Sequence, residues 1–179
     1  MAAGIGRDPR LVEVVLRESR RVVRMDKGIL ITETHHGWVC ANAGVDQSNV
    51  DADSVALLPE DPDRSARALR ERFSAAAGGD VCVVIADTFG RPWREGLTNI
   101  AIGVAGFAPL KSYLGERDPA GRPLQATILA LADELASAAE PVMGKLDRVP
   151  VAILRGVPFT PTEDGSKPLL RDPARDLFR

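Results

Sequence analysis

The stretch that decides the fold is Val81-Cys82-Val83-Val84-Ile85-Ala86-Asp87-Thr88, an uninterrupted apolar run that stops at an aspartate. β-Branched apolar runs of this length are typical of a strand that is buried on both faces. An aspartate at the carboxyl end of such a strand lies at the rim of a sheet, where open α/β folds bind their ligands. The stretch therefore predicts a buried strand with a polar site at its end.

Polar side chains that suit a hard cation follow two apolar runs. Asp87 and Thr88 come directly after residues 81–86, and Asp46 lies in the loop beyond a strand predicted over residues 37–43. Mg²⁺ and Mn²⁺ prefer a few oxygen ligands and retain water for substrate phosphates. The pattern indicates either a metal site, or a capped turn at Asp87 and a loop held by local side-chain bonds at Asp46.

The rest of the chain predicts an α/β fold, an α+β mixed sheet with flanking helices. Apolar residues recur every three or four positions in three predicted helices, which run from Asp8-Pro9 through Val22, over 59–78 and over 124–142. Strands are predicted over 28–34 and 37–43, which form a hairpin around His35-His36, and over 150–155, whereas 99–107 fits a strand or a tightly packed helix. Residues 1–156 are predicted to form one domain, and 157–179 a polar tail or linker with little capacity to form a core.

The third predicted helix carries a stripe of apolar residues that is expected to be buried, consisting of Ile128, Leu131, Leu135 and Ala139. Asp133 and Glu134 lie off this stripe. They are expected on a solvated face, with metal coordination as the alternative.

Composition and charge limit the class of protein. The 45% content of hydrophobic residues is ordinary for a globular chain, and the formal net charge of −2 gives no bulk attraction to nucleic acid. No apolar stretch reaches the roughly 20 residues that span a bilayer. Cys40 and Cys82 lack the spacing of a zinc site and are expected to be small buried side chains. The composition predicts a cytoplasmic protein that binds neither nucleic acid nor membrane.

Four segments occur in a specific order, namely 42–49, 84–96, 113–122 and 132–136, the last of which leads to Val142-Met143-Gly144. Their order and spacing together resemble the coenzyme F-420 gamma-glutamyl ligases, which join L-glutamate to the side chain of a deazaflavin coenzyme. The resemblance runs from about residue 8 to residue 156. It implies an intertwined homodimer that uses GTP, L-glutamate and the coenzyme F-420 precursor.

The resemblance also implies a chemistry and a set of site residues. A phosphoryl group from GTP would activate a carboxylate as an acyl phosphate, with Mg²⁺ or Mn²⁺ as the metal and K⁺ as a further candidate ion. The guanidinium of Arg91 suits a phosphate or carboxylate, or else an ion pair with Asp87. No residue is assigned as catalytic. The implied site consists of the metal ligands Asp46, Asp87 and Thr88, the nucleotide contacts Asn49, Met143 and Gly144, and the substrate or phosphate contact Arg91.

Two departures from the family pattern set the alternatives. The family's Gly-Leu-Pro opening and its Ser-Lys-x-Glu-Gly-Arg run have no counterpart here, which predicts an N-terminally truncated ligase domain. Members with two metals carry an acidic residue after Met-Gly, where this chain has Lys145, so the second metal position is open. The alternatives to an active ligase are an inactive fragment of such a ligase and a metal-dependent phosphate-binding hydrolase.

Overall fold

The computed structural model describes residues 6–176, which fall into two compact units. The first unit comprises the described residues up to Asp61 together with Phe89–Leu97, and the second comprises Pro62–Thr88 and the described residues from Thr98 onward. The described residues are a mixture of helices and small antiparallel sheets. The predicted α/β class is therefore confirmed. The described strands, however, form three small separate sheets and not the single mixed sheet that was predicted.

The first unit is built on a short helix and a three-stranded sheet. Helix α1, Pro9–Arg17, begins at Asp8, whose carboxylate accepts a hydrogen bond from the Arg10 amide at 2.8 Å. Such a cap satisfies a donor that the first turn leaves open. Three antiparallel strands follow in the order β1-β2-β3, with the bounds Ser19–Asp26, Ile29–Thr34 and Val39–Ala41.

The sequence predicted the start of α1 and the β2-β3 hairpin correctly but extended the helix too far. Val22 lies in β1, because the helix ends at Arg17 and the chain turns back onto β2 as a strand. A small apolar core holds the helix against this sheet, consisting of Val12, Val15, Leu30 and Ala43.

The described part of the second unit contains two α-helices, together with two short 3-10 helices at Lys167–Leu169 and Pro173–Arg175. Helix α2, Pro62–Ala77, begins with a proline, which lacks the N–H that a first turn leaves without a partner. Helix α3, Leu131–Met143, begins seven residues later than predicted. The segment before it contains the short strand β7, Ile128–Leu129, which pairs with β6, Lys111–Ser112. Ile128 is therefore an exposed strand residue and not part of a buried helical stripe.

A long hairpin carries the stretch that was predicted as a buried strand. Strand β4, Val83–Arg91, pairs with β5, Arg94–Ala105, through a two-residue turn at Pro92-Trp93. Strands joined by two residues run antiparallel. The prediction that the strand ends at Asp87 is wrong, because the hairpin extends β4 to Arg91. Only Val83 and Phe89 are buried in it, so β4 is not covered on both faces.

The core of the second unit lies where β5 meets the helices. Ala101, Val104 and Phe107 pack with Ala132 of α3, and Ala105 packs with Ala66 of α2. The backbone of β5 comes so close to α2 that a Cβ on Gly103 would lie 2.9 Å from the Cβ of Pro62.

Residues after Gly156 contact this core. The Ala108 amide donates to the Thr160 carbonyl at 2.8 Å, and the rings of Phe107 and Phe159 meet edge to face at 6.2 Å. Ser166 is buried, and its amide donates to Asp63 at 2.9 Å. This segment thus contributes more to packing than its composition indicated. The division of the chain into a domain and a tail at residue 156 stays a prediction.

The predicted strand over residues 150–155 is not formed. These residues have no assigned secondary structure, and Val151, Ile153 and Leu154 are exposed. Across residues 6–176 no helix is both long enough and apolar enough to cross a bilayer.

Candidate functional site

Asp87 and Thr88 lie inside strand β4, four and three residues before its last residue, Arg91. Neighbouring residues of a strand direct their side chains to opposite faces. The Asp87 carboxylate and the Thr88 hydroxyl are therefore two oxygen donors on different faces of the hairpin. The structure describes Asp46 in the first unit and both of these residues in the second.

Thr88 begins a chain of side-chain hydrogen bonds that ends on helix α3. Its hydroxyl donates to Oδ1 of Asn99 at 2.8 Å, and Nδ2 of Asn99 donates to Oε2 of Glu140 at 2.8 Å. Asn99 is 6% exposed, whereas Thr88 and Glu140 are exposed residues. The buried amide thus has a partner at each end, which satisfies its hydrogen bonds where water is excluded.

A second set of hydrogen bonds ties the same strand to α3. The Ser137 hydroxyl donates to the main-chain carbonyl of Asn99 at 2.9 Å and lies 2.9 Å from the hydroxyl of Thr98. Since the Ser137 proton is already donated, the Thr98 hydroxyl donates to Ser137. These bonds position β5 against α3 through main-chain and hydroxyl groups and do not involve the side-chain amide of Asn99.

Asp133 of α3 also contacts β5. Its carboxylate accepts a hydrogen bond from the Ala101 amide at 2.9 Å and the residue is half-buried, so it does not lie on the solvated face that was expected. Burial raises the pKa of the Asp133 carboxyl above its ordinary value of 3.8; the Ala101 hydrogen bond opposes this rise and the nearby Glu134 charge adds to it. Sequence reasoning missed this contact because Ala101 is 32 residues away along the chain.

We expect Asp133→Asn to change how stability depends on pH. Above pH 3.8 and below the raised pKa, the folded chain holds more protons at this site than the unfolded chain, so its stability falls as pH rises. Asparagine keeps an oxygen that accepts from Ala101 and has no charge to bury. Urea unfolding at several pH values should show the variant gaining on wild type as pH rises through this window. A difference that stays constant with pH would contradict the assignment.

Asp133→Ala is the matched control for that measurement. It removes the acceptor and leaves the Ala101 amide without a partner in the core, which costs about 1–3 kcal/mol. Loss of stability in Asp133→Ala without loss in Asp133→Asn would separate the hydrogen bond from the buried charge.

Asp46 lies in a loop that its own side chain organises. The carboxylate accepts from both the amide and the hydroxyl of Ser48, at 2.8 Å for the amide. The main chain of Asp46 pairs with Ala56 through two hydrogen bonds of 3.1 and 2.8 Å. The local bonding expected of a structural loop aspartate is therefore present.

The loop before Asp46 has an uncommon backbone. Asn42, Ala43 and Gly44 are consecutive residues with left-handed φ angles of 52°, 55° and 72°, and Asn49 follows at 56°. A left-handed alanine costs energy that the surroundings must offset, and such strain concentrates at functional segments. The side chain of Asn42 accepts from the Arg7 guanidinium at 2.7 Å, which helps to hold this conformation. Asn49, predicted to contact nucleotide, is exposed.

Met143 and Gly144 form the end of helix α3. Gly144 has φ of 60°, and its amide donates to the Glu140 carbonyl at 2.9 Å. Its φ of 60° and ψ of 167° lie in a region that is essentially open to glycine alone, so the backbone conformation favours glycine here. A Cβ at Gly144 would also meet the carboxylate of Asp147, a flexible group that can turn aside. The loop that was predicted to contact nucleotide therefore begins at a tight turn directly after α3.

Arg91, the last residue of β4, is exposed. One of its guanidinium nitrogens lies 3.5 Å from the Glu95 carbonyl, across the hairpin turn. At this distance the hydrogen bond is weak, so the guanidinium is held only loosely by this contact.

The donor set predicted for a metal contains two carboxylates and one hydroxyl. Within residues 6–176 no cluster of three or more His, Cys, Asp or Glu side chains that could hold a metal ion is present. Mg²⁺ and Mn²⁺ need only a few protein oxygens when water molecules and phosphate oxygens complete their coordination shell. Each oxygen of the set suits such a cation, but Asp87 and Thr88 lie on opposite faces of β4, so one ion does not readily bind both. The assignment of the metal ligands stays a prediction.

Asn99 and Glu140 are the polar residues of this region that the sequence did not point to. Asn99 opens a small apolar run, and Glu140 lies in an alanine-rich helix, so neither occurs in a motif. Their pairing across 41 residues has no local signal.

Comparison with known proteins decides the family. The model of the F420-0:Gamma-glutamyl ligase family matches residues 1–156. The chain belongs to this ligase family. Among its relatives, the coenzyme F420:L-glutamate ligase of Methanopyrus kandleri is 50% identical to this chain. The alignment covers the whole chain and 73% of that relative.

Two further relatives carry the same name. The coenzyme F420:L-glutamate ligases of Methanothermobacter thermautotrophicus and Methanocaldococcus jannaschii are 47% and 44% identical to this chain. Each comparison covers the whole chain and 72% of the relative. The resemblance based on four sequence segments is confirmed.

Proposed function

We propose that the chain is a coenzyme F-420:L-glutamate ligase, which joins L-glutamate to a coenzyme F-420 precursor through an amide bond. The observation that supports this most strongly is the 50% identity to a protein of that name over the whole chain. The segments that carry the predicted site residues, 42–49, 84–96 and 142–144, all fall inside the 156 residues that match the family.

The proposed reaction has two steps. A carboxylate oxygen of the coenzyme precursor attacks the terminal phosphorus of GTP, forming a mixed anhydride and releasing GDP. The amine of L-glutamate then attacks the carbonyl carbon; the new C–N bond forms, the C–O bond to phosphate breaks, and the amine loses a proton. Phosphate is the leaving group, so each amide formed consumes one GTP.

We propose Asp46 and Asp87 as carboxylate ligands of a divalent cation. Thr88 lies on the opposite face of β4, so we propose its hydroxyl as a ligand of a cation other than the one that Asp87 binds. When bound, Mg²⁺ or Mn²⁺ neutralises negative charge on the phosphoryl group in transfer. Asn49, Met143 and Gly144 are proposed to contact the nucleotide, and the exposed guanidinium of Arg91 a phosphate or carboxylate. K⁺ is a further candidate ion.

A ligase assay tests the function directly. The purified chain is incubated with the coenzyme precursor, L-glutamate, GTP and Mn²⁺, while phosphate release and the mass of the coenzyme are followed. We expect a mass increase of one glutamyl group per phosphate released, and no product when any one component is omitted. GTP consumption without the amide product would indicate a hydrolase instead. A folded chain that consumes no GTP would contradict both.

Lys145 provides a test of metal stoichiometry. It follows Gly144 in the exposed turn after α3, where family members with two metals carry an acidic residue. We expect Lys145→Glu to bind one additional Mn²⁺ ion with GTP present, because a carboxylate replaces an ammonium group that repels cations. Calorimetry would give the number of ions. Arg155→Glu, an equal change of charge at an exposed position, should leave it unaltered.

We also propose that the active form is a cytoplasmic homodimer, as the family resemblance implies. Sedimentation of the purified chain at several concentrations would give its mass in solution. A monomer at all concentrations would contradict the dimer.

A further inference from the structure

We propose that Asn99 is a positioning residue, which holds the Thr88 hydroxyl so that its lone pairs meet a divalent cation on the phosphates of a bound nucleotide. The inference rests on the proposed function, because it requires that the chain bind GTP together with a cation. It adds to that function a residue that lies outside the predicted metal and nucleotide sets.

The contacts of Asn99 fix which way its amide points. An ionised carboxylate has no proton to donate, so the Glu140 oxygen that lies 2.8 Å from Asn99 must face the NH₂ end of the amide. The carbonyl end then faces Thr88, whose hydroxyl lies 2.8 Å away. The orientation of the amide is thus set by chemistry, and Glu140 is what sets it.

This orientation prepares Thr88 as a ligand. A hydroxyl that binds a cation uses a lone pair and must send its proton elsewhere. Asn99 accepts that proton, so both lone pairs of the Thr88 oxygen remain available. Because Thr88 is exposed and Asn99 is 6% exposed, the accepting group is fixed in the interior while the hydroxyl is accessible to a ligand.

The same amide also contacts the helix that leads to the predicted nucleotide loop. Glu140 lies in the last turn of α3, and its main-chain carbonyl accepts the amide hydrogen of Gly144 at 2.9 Å. Asn99 therefore lies between a predicted cation ligand and the residue that anchors the start of that loop. All of these residues belong to the second unit.

The test measures binding, with no turnover needed. Purified chains are titrated calorimetrically with a preformed equimolar complex of Mn²⁺ and GTP. We expect Asn99→Leu to weaken binding about tenfold, the lower end of the range for residues that orient a metal ligand. In a Thr88→Val background the same substitution should change affinity by less than about twofold, because the hydroxyl that Asn99 positions is already absent.

Two matched variants separate positioning from general packing. Ser137→Ala removes hydrogen bonds between α3 and β5 but leaves the bonds of the Asn99 side-chain amide in place. It should therefore keep wild-type affinity. Asn99→Asp combined with Glu140→Gln exchanges donor and acceptor, retains the net charge and still accepts the Thr88 proton. It should bind no more weakly than wild type. If Asn99→Leu does not fold, Glu140→Leu, which removes the group that orients the amide, should weaken binding in its place.

Each contrary result is distinct. Full affinity in folded Asn99→Leu, an equal loss in Ser137→Ala, or additive losses with Thr88→Val would overturn the positioning role and leave the proposed function in place. A folded wild-type chain that does not bind the complex of Mn²⁺ and GTP would overturn the metal-dependent function, and this inference with it.

Discussion

Asp87→Asn is expected to reduce ligase turnover by about a hundredfold or more, because it removes a charge that the proposed cation requires. Asparagine has nearly the same shape and retains one acceptor oxygen, so strand β4 should keep its pairing with β5. The loss should therefore appear in metal-dependent steps and not in folding. The assay follows phosphate release with the coenzyme precursor, L-glutamate, GTP and Mn²⁺, at metal concentrations high enough to saturate wild type.

The matched control is Glu134→Gln, which removes one carboxylate charge from an exposed position of α3 in the same unit. It should retain wild-type turnover. Urea unfolding of both variants checks that neither has lost its fold. Wild-type turnover in a folded Asp87→Asn chain would remove Asp87 from the metal ligands, whatever the outcome for Asp46.

Gly103→Ala is expected to cause the largest loss of stability among single-residue changes considered for the second unit, about 2–3 kcal/mol. The added methyl group would lie 2.6 Å from the Pro62 carbonyl carbon and 2.9 Å from its Cβ. The carbonyl carbon is backbone and the Cβ is part of the proline ring at the start of α2, so relief requires a shift of the helix or the strand. The neighbouring bond from the Val104 amide to Asp63, now 2.9 Å, would lengthen with that shift.

Gly79→Ala is the control for this prediction. A Cβ at Gly79 would meet nothing within 4 Å, and its φ lies outside the left-handed region. Alanine there should leave the free energy of unfolding unchanged or raise it slightly, because it reduces the entropy of the unfolded chain. Equal effects of the two substitutions on the free energy of unfolding in urea would show that β5 and α2 do not approach each other this closely in the folded protein.

Local signals in the sequence predicted the parts of the fold that local physics controls. Asp8-Pro9 and Pro62 mark the starts of α1 and α2, since caps and proline act within one turn. The hairpin over β2 and β3 and the family itself were also predicted correctly. The extent of β4 was not, because an apolar run predicts a strand but does not reveal where its partner strand ends.

The sequence by itself thus determined the starts of α1 and α2, the first hairpin, the family and the candidate residues Asp46, Asp87 and Thr88, whereas the start of α3 was misplaced. Only the tertiary structure decided what those side chains contact. The bond from Asn99 to Glu140 joins residues 41 positions apart, and that from Ala101 to Asp133 joins residues 32 apart. Composition and periodicity carry no information about such pairs, because the packing of β5 against α3 is what brings their polar atoms together.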